Sequence, residues 1–300
     1  PPVGGRITWD GRRYAAAEGF GDHPVVGVTW LGAVKFCNWL TLDQGYAAAD
    51  RCYQEAVADD LDAWRPAGIE RAAWRQRDLN LGERAALVAE CPGYRLPMDQ
   101  HSAAAAAYNE WYKAAAWNTA TSRNTVYGFG RDTIVGADAN FLDSGDPWEP
   151  GTTPVGYYNG SNGTNPNANS FAIYDLSGNA FEWVQDRFND NPIPPGQAGS
   201  RTVRGGAWDR PDTACATHRR FIFGADLADR SVGFRCLRVP VETPDADRDG
   251  DVDLADYAAL SACLAGPGAG VTRECLPFDL DVSGAVDLRD AAAFQLAFGR

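Results

Sequence analysis

Two acidic segments near the C-terminus carry oxygen-bearing side chains at a spacing suited to metal binding. They are "DADRDGDVDLAD", residues 245–256, and "DLDVSGAVDLRD", residues 279–290. Side-chain oxygens stand at positions 1, 3, 5, 9 and 12 of each twelve-residue loop, with glycine at position 6 and a backbone carbonyl at position 7, as in an EF-hand-type Ca²⁺ loop. The predicted ligands are Asp245, Asp247, Asp249, Asp251, Asp253 and Asp256, then Asp279, Asp281, Ser283, Ala285, Asp287 and Asp290. The alternative is a solvated acidic tail.

A second candidate for chemistry is Cys215, which lies in "VRGGAWDRPDTACATHRR", residues 203–220. A thiolate is a strong nucleophile and a soft metal ligand. Cys215 is therefore either a reactive thiol or a buried structural one. The three histidines of the chain have no second ligand at metal spacing, so the sequence predicts no histidine-based metal centre.

Hydrophobic spacing predicts the elements that carry these residues. A buried stripe that follows Thr29 recurs at helical spacing and consists of Trp30, Ala33, Val34, Cys37 and Leu40. Two further helices, 254–264 and 288–298, leave the acidic loops. The remaining predictions are an Ala-rich helix over about 98–116, a surface insertion over 51–91, and strands at 25–28, 172–175, 181–186, 202–204 and 232–239.

Composition limits the classes of function. The 300 residues, of which 45% are hydrophobic, suffice for one substantial core and a small appendage. The segment "PVETP", residues 240–244, reads as a linker, which predicts a domain at 1–240 and a second at 241–300. A net charge of −13 argues against a nucleic-acid partner. No apolar run approaches the roughly 20 residues of a membrane span.

Seven cysteines without a CxxC pair favour disulfides in an oxidising compartment. The predicted location is therefore secreted, extracellular or at the cell surface. Spacing alone leaves the connectivity open, and an odd number leaves one cysteine over.

Four segments together resemble the formylglycine-generating enzyme family, also called the sulfatase-modifying-factor domain. They are "HPVVGVTWLGAVKFCNWL", "YRLP" with "EWYKAA", "YDLSGNAFEWVQD", and "VRGGAW" with "VGFRC". The resemblance implies an α+β fold, a variant of the C-type lectin fold with much irregular structure. The N-terminal strand region of the family, with its Glu-Val-Thr-Asn motif, is missing from the sequence. Its absence would expose a sheet edge, which is either filled by a strand outside the given sequence, covered by a partner chain, or used as an assembly site.

The resemblance also bears on Cys215. In the active enzymes, two cysteines follow a motif tryptophan by two and seven residues and bind Cu(I) for oxidation of a substrate cysteine. Cys215 stands seven residues after Trp208, but Arg210 stands two residues after it. Arginine offers no lone pair to a soft metal. This departure from the family pattern argues against enzyme activity, and whether the chain is an enzyme stays open at this point.

Other family features are implied for disulfides and calcium. Cys37 would bond to Cys236, while Cys52 with Cys91 would close the insertion and Cys263 with Cys275 the loop between the repeats. One Ca²⁺ site in the main domain would comprise Asp175, the carbonyls of Gly178 and Ala180, and Glu182; a second would comprise Asn140, the carbonyl of Phe141, and Asp146. One or two ions in this domain would add to two in the C-terminal repeat.

The duplicated loop and exiting helix resemble the dockerin module, by which secreted bacterial proteins bind cohesin domains. Dockerins usually carry recognition residues such as Ser-Thr at loop positions 10 and 11, where this chain has Leu254 with Ala255 and Leu288 with Arg289. The alternative is a Ca²⁺-stabilised cap on the chain's own main domain.

Two functions follow as hypotheses. The preferred one is a secreted bacterial protein without catalytic activity, stabilised by Ca²⁺ and disulfides, that binds other protein chains in an extracellular assembly, including a polymer or a cohesin-like partner. The alternative is a copper-dependent oxidase of the formylglycine-generating type that uses Cys215.

Overall fold

The computed structural model shows a chain of mixed helices and strands. It describes residues 7–9, 11–12, 14–55, 64–89, 91–99, 108–189, 191–193, 199–238, 252–266, 271–272, 275, 278–280 and 283–298. Two compact units are present: one contains Pro1–Phe36, Tyr53–Ala85 and Arg95–Leu237, the other Cys37–Cys52, Ala86–Tyr94 and Arg238–Arg300. No helix in the described ranges is both long and apolar enough to cross a membrane.

Short elements make up the fold. The strands are β1 (Ile7–Trp9), β2 (Tyr14–Ala16), β3 (Trp117–Asn118), β4 (Arg123–Asn124), β5 (Phe181–Trp183), β6 (Ser200–Arg204), β7 (Phe221–Gly224) and β8 (Val232–Phe234). The helices are α1 (Trp30–Asp43), α2 (Arg71–Gln76), α3 (Leu81–Ala89), α4 (Glu110–Ala116), α5 (Leu254–Cys263) and α6 (Leu288–Ala297).

A four-stranded sheet in the order β7-β6-β5-β8 organises the first unit. Strand β5 pairs antiparallel with β6 and parallel with β8, so Glu182 lies opposite Arg204 on one side and Gly233 on the other. All three residues of β5 are buried. A separate hairpin, β1 with β2, lies at the N-terminal end of the described chain and was missed at the sequence level.

Helix α1 buries four of the five residues of the predicted stripe, Trp30, Ala33, Val34 and Cys37, whereas Leu40 is half-buried. The Thr29 hydroxyl accepts the Gly32 N–H at 2.9 Å and so caps the first turn. The indole of Trp30 donates to the carbonyl of Val184 at 3.0 Å, which ties the helix to the end of β5. The strand predicted at 25–28 is wrong. Gly27 has a φ of +75°, and its N–H donates to the backbone carbonyls of Asp229 and Val232 and not to a neighbouring strand in a regular ladder.

The segment from residue 51 to 91 is not a surface insertion. Within it, α2 and α3 bury Trp74 and Arg84. The Arg201 guanidinium of β6 lies over the rings of both Trp30 and Trp74, 4.4 and 4.5 Å from their centres. Buried charged side chains made this segment look like surface in the sequence.

Two further sequence predictions need correction. Of the helix predicted over 98–116, the described residues contain only α4. Asp99 is not helical, because it forms a β-bridge with Asn109, and its buried carboxylate pairs with Arg204 and Arg220, each at 3.1 Å. Residues 100–107 lie outside the described chain. The segment 172–175 is not a strand, since Ala172 and Asp175 both have a φ of +60°.

The C-terminal helices confirm their predicted positions. Asp253 and Asp287 cap α5 and α6, and each takes part in a capping box with the third helical residue. Between the helices lies an apolar cluster of Val252, Leu260, Phe278, Val286 and Phe294.

Two of the three predicted disulfides form in the structure. Cys52 bonds to Cys91 and Cys263 to Cys275, with Cα–Cα distances of 5.4 and 5.3 Å. Cys37 is buried in α1 and Cys236 is half-buried after β8; the pairing of these two residues stays a prediction.

Candidate functional site

Cys215 lies at the end of a short 3₁₀ turn, Asp212–Cys215, with 0% of its surface exposed. Its side chain belongs to an apolar cluster with Tyr127, Phe129, Ala139 and Ala216. The Ser177 hydroxyl donates to the Cys215 carbonyl at 2.7 Å and anchors the turn from the other side. The thiol therefore belongs to the core.

Gly206 closes the remaining approach to this thiol. Its φ is +78°, and a Cβ placed on it would lie 2.6 Å from the Cys215 Sγ. Only glycine lets the backbone come so close. Burial, with a smaller contribution from Asp212, raises the pKa of the Cys215 thiol to about 12. Burial thus holds the group in its neutral thiol form, which is a weaker nucleophile and a poorer metal ligand than the thiolate.

Arg210 occupies the position where the resemblance would require a second thiolate. Its guanidinium lies 3.2 Å from the Asp209 carboxylate and 5.8 Å from the centre of the Phe181 ring. Its backbone carbonyl accepts the Leu142 N–H at 2.9 Å. The residue thus has a structural environment of its own and contributes no soft ligand.

Thiol labelling checks the burial of Cys215. We expect iodoacetamide at pH 8 to leave Cys215 unmodified in the folded chain and to alkylate it fully in 6 M guanidinium chloride, because exposed thiols ionise near a pKa of about 8.5. Peptide mass mapping identifies the labelled cysteine. Stoichiometric labelling of Cys215 in the folded chain would contradict its burial.

At the predicted Ca²⁺ site around Glu182, the guanidinium of Arg235 already pairs with the carboxylate. The carboxylate accepts hydrogen bonds from Nε of Arg235 at 2.7 Å and from Nη2 of the same guanidinium. The indole N–H of Trp111 donates to the same carboxylate at 2.7 Å. A divalent ion bound to Glu182 would have to displace or lie beside Arg235, so this arrangement does not fit Ca²⁺.

Asp175 comes close to the same ion pair. Its φ of +60° turns the chain, and its carboxylate accepts the Gly156 N–H at 2.9 Å. Burial raises the pKa of Asp175, and the Gly156 hydrogen bond partly opposes that rise. Gly178 also has a positive φ, and a Cβ on it would lie 2.4 Å from the carbonyl oxygen of Asn140. The tight Gly178 turn brings the two predicted metal segments together.

The second predicted site in this domain has neutral donors around its acid. Asp146 accepts the Ser144 hydroxyl at 3.1 Å and the Trp148 N–H at 2.8 Å, and burial raises its pKa. The Asn140 amide donates to the Gly151 carbonyl at 2.9 Å. Within the described ranges, no three side chains of Asp, Glu, His or Cys are grouped to hold a metal. Calcium at Asn140, Phe141 and Asp146 stays a prediction.

In the second C-terminal loop, carboxylates at both ends accept hydrogen bonds from the backbone of the loop. Asp279 accepts the N–H groups of Ser283 and Gly284 at 2.8 and 3.0 Å. Buried Asp290 accepts those of Leu280 and Asp287 at 2.6 and 2.8 Å. These hard oxygen donors fit Ca²⁺. Asp281 lies outside the described residues, as does 245–251 of the first loop, which includes Asp245, Asp247, Asp249 and Asp251.

A cavity of about 640 Å³ opens beside Glu182 and Arg235. Its polar lining includes Asp175 and Asn179, and its apolar lining includes Val25, Phe36, Val155, Tyr174 and Phe234. Arg235 was missed as a site residue in the sequence, although it lies in the "VGFRC" segment. Its partner is 53 residues away along the chain, and only the pairing of β5 with β8 brings the two together.

Two curated relatives share part of this chain. Serine/threonine-protein kinase Pkn1 of Chlamydia trachomatis is 26% identical over 246 residues, which is 78% of this chain and 27% of that protein. The pkn1 kinase of Chlamydia pneumoniae is 25% identical over the same length and shares. The chain thus spans about a quarter of the length of these relatives. The word kinase in their names refers to those whole proteins.

Two solved structures are similar to this chain, and the sequence pattern of one family matches it. The structure of CarF superposes with a TM-score of 0.50 at 21% identity, covering 74% of this chain and 69% of that one. Treponema denticola variable protein 1 gives 0.49 at 23% identity, with 75% and 74% covered. Residues 6–240 match the Sulfatase-modifying factor enzyme 1-like domain. This match covers most of the sequence, and the chain belongs to the family of sulfatase-modifying factor enzyme 1-like domains.

Proposed function

We propose that this chain is a binding or scaffolding protein without catalytic activity, which joins other protein chains in an extracellular assembly. The burial of Cys215 carries the proposal. Its thiol is enclosed by the core and by Gly206, and the position two residues after Trp208 holds Arg210 in an ion pair. A two-thiolate copper site needs two accessible soft ligands. Cys215 is buried and Arg210 offers no soft donor atom.

The C-terminal module supports a role in assembly. Leu254 and Leu288 occupy the same position of the two loops and are 72% and 81% exposed. An exposed leucine at the start of each helix gives two equivalent apolar contacts, which suit a protein partner more than water. Calcium held by the two loops would fix the first turns of α5 and α6 and so the placement of these leucines. Secretion by a bacterium is part of the same proposal.

Oxygen consumption tests the absence of catalysis. We expect the chain, supplied with one equivalent of Cu(I) and a Cys-Thr-Pro-Ser-Arg peptide, to consume oxygen no faster than the same mixture without protein. Cys215→Ala is the matched variant, because it removes the only family-type cysteine and a small side chain replaces the thiol. We expect wild type and variant to be indistinguishable.

The alternative, a copper-dependent oxidase, rests on Cys215 standing at the position of a family cysteine. Stoichiometric Cu(I) binding that is lost in Cys215→Ala, together with peptide oxidation by wild type alone, would replace our proposal with this one. Copper bound equally by both variants would place the metal elsewhere and leave the proposal standing.

A further inference from the structure

We infer that the cavity beside Asp175 binds an alkylammonium group, such as a lysine side chain of a partner or a free alkylamine. The cavity has charged groups in its lining and exposed apolar side chains beside them. This inference goes beyond the assembly function, because it concerns a pocket in the first unit and holds whether or not the chain joins an assembly.

The charges that line the cavity favour a monovalent cation. The lining contains two carboxylates, Asp175 and Glu182, and one cation, Arg235. Nε and Nη2 of Arg235 both donate to the Glu182 carboxylate. Nη2 also donates to the Tyr174 carbonyl at 3.2 Å. Arg235 pairs with Glu182, so the two carboxylates and one guanidinium of the lining leave one formal negative charge in excess when both acids are ionised. A buried carboxylate is stabilised by a cationic hydrogen-bond donor.

The apolar lining suits an aliphatic stem. Val25, Phe36 and Val155 are among the exposed large apolar residues, at 48%, 40% and 60%, and all three line the cavity. Long amines bury their methylene groups against such surfaces while the charged head reaches a polar partner. A hydrated metal ion would make no use of these side chains.

The cavity is held open by backbone packing. A Cβ on Gly233 of β8 would lie 2.4 Å from the Val25 carbonyl oxygen, so the segment with Val25 packs directly on the strand that Arg235 follows. Phe36 of α1 packs edge-on against Phe234, with ring centres 5.3 Å apart. A preformed pocket loses less free energy to ordering when a ligand binds.

Matched ligands test the inference. The 300-residue chain in EGTA at pH 7 and low salt is titrated with Nα-acetyl-lysine amide or Nα-acetyl-norleucine amide, and binding is followed by NMR chemical shifts. Norleucine keeps the aliphatic stem and lacks the ammonium group. We expect the lysine compound to bind about tenfold more tightly or better and Asp175→Asn to abolish that preference. Asp132→Asn serves as control, because Asp132 is exposed and pairs with Arg123 at 2.9 Å.

Each outcome decides the question. Equal binding of the two compounds by wild type would overturn the inference in favour of an apolar pocket, and this comparison stands even if Asp175→Asn fails to fold. Calcium that displaces the lysine compound and is itself lost in Asp175→Asn would overturn it in favour of a metal site. Cadaverine and a lysine-containing tripeptide distinguish a free alkylamine from a lysine side chain as the ligand, because the natural source should resemble the compound that binds more tightly. Binding of either compound supports the ammonium site, and failure of both to bind overturns the inference.

Discussion

Replacing Arg84 with Met is expected to lower the free energy of unfolding of the first unit by about 3–5 kcal/mol, the cost typical of breaking a buried ion pair from one side. Arg84 is fully buried in α3. Its guanidinium donates to Asp186 and, at 3.2 Å, to Asp78, while its Nε donates to the Leu79 carbonyl at 3.0 Å. Methionine fills a similar volume and removes the charge that both carboxylates share.

The size of this effect should depend on pH. Burial, with a further contribution from nearby Asp78, raises the pKa of Asp186, and the loss of Arg84 raises it further. An acid whose pKa is higher in the folded chain costs no stability below its unfolded pKa of about 3.9. The free energy of unfolding then falls as the pH rises from that value to the folded pKa. The deficit of Arg84→Met should therefore widen as the pH rises above about 7, the pKa of Asp186 in the wild-type chain, and stay nearly constant between pH 7 and pH 4.

Arg77→Met is the matched control for Arg84→Met. Arg77 follows α2 and pairs with Glu83 at 2.6 Å, but its side chain is 39% exposed. Exposed pairs are worth about 0–1 kcal/mol, so this variant should unfold close to wild type. Urea unfolding followed by tryptophan fluorescence measures both. If the two variants lose equal stability at pH 7, the buried pair is not the stabilising feature that the structure indicates.

Local signals explain which parts of the fold were predictable. Helix α1 follows from its apolar stripe and Thr29, and α5 and α6 follow from capping aspartates that lie in the sequence itself. Strand β7 was missed because "FIFG" has no alternation to mark it. Its pairing with β6 is a tertiary contact that no short window contains.

The candidate site was predictable only where neighbours in sequence are neighbours in space. Arg210 and Cys215 lie five positions apart, so the broken copper pair could be read directly. The enclosure of Cys215 by Gly206 could not, since it depends on a positive φ and a close backbone approach. The pairing of Arg235 with Glu182 likewise depends on strand order, and it places one predicted calcium ligand, Glu182, in an internal ion pair.

Removal of Ca²⁺ is expected to produce the second large effect, in the C-terminal module. A ligand present at about 100 to 1,000 times its dissociation constant stabilises the folded state by about 2.7–4.1 kcal/mol per site. We therefore expect EGTA to lower the unfolding temperature of this module and to disperse any assembly that depends on Leu254 and Leu288. Calorimetry and light scattering measure the two effects. If EGTA changes neither, the predicted Ca²⁺-dependent role of the two loops is contradicted.

Asp290→Asn separates the metal from the local structure of the loop. Asp290 accepts the N–H groups of Leu280 and Asp287, so its loss weakens the start of α6 even without metal, at a cost of about 1 kcal/mol. The metal contribution is the additional loss measured in Ca²⁺ over that measured in EGTA. Asp22→Asn, at an exposed residue of the first unit, should cost little in either buffer. An equal loss for Asp290→Asn in both buffers would assign Asp290 to helix capping alone, because only a bound cation makes the cost of removing its charge depend on calcium.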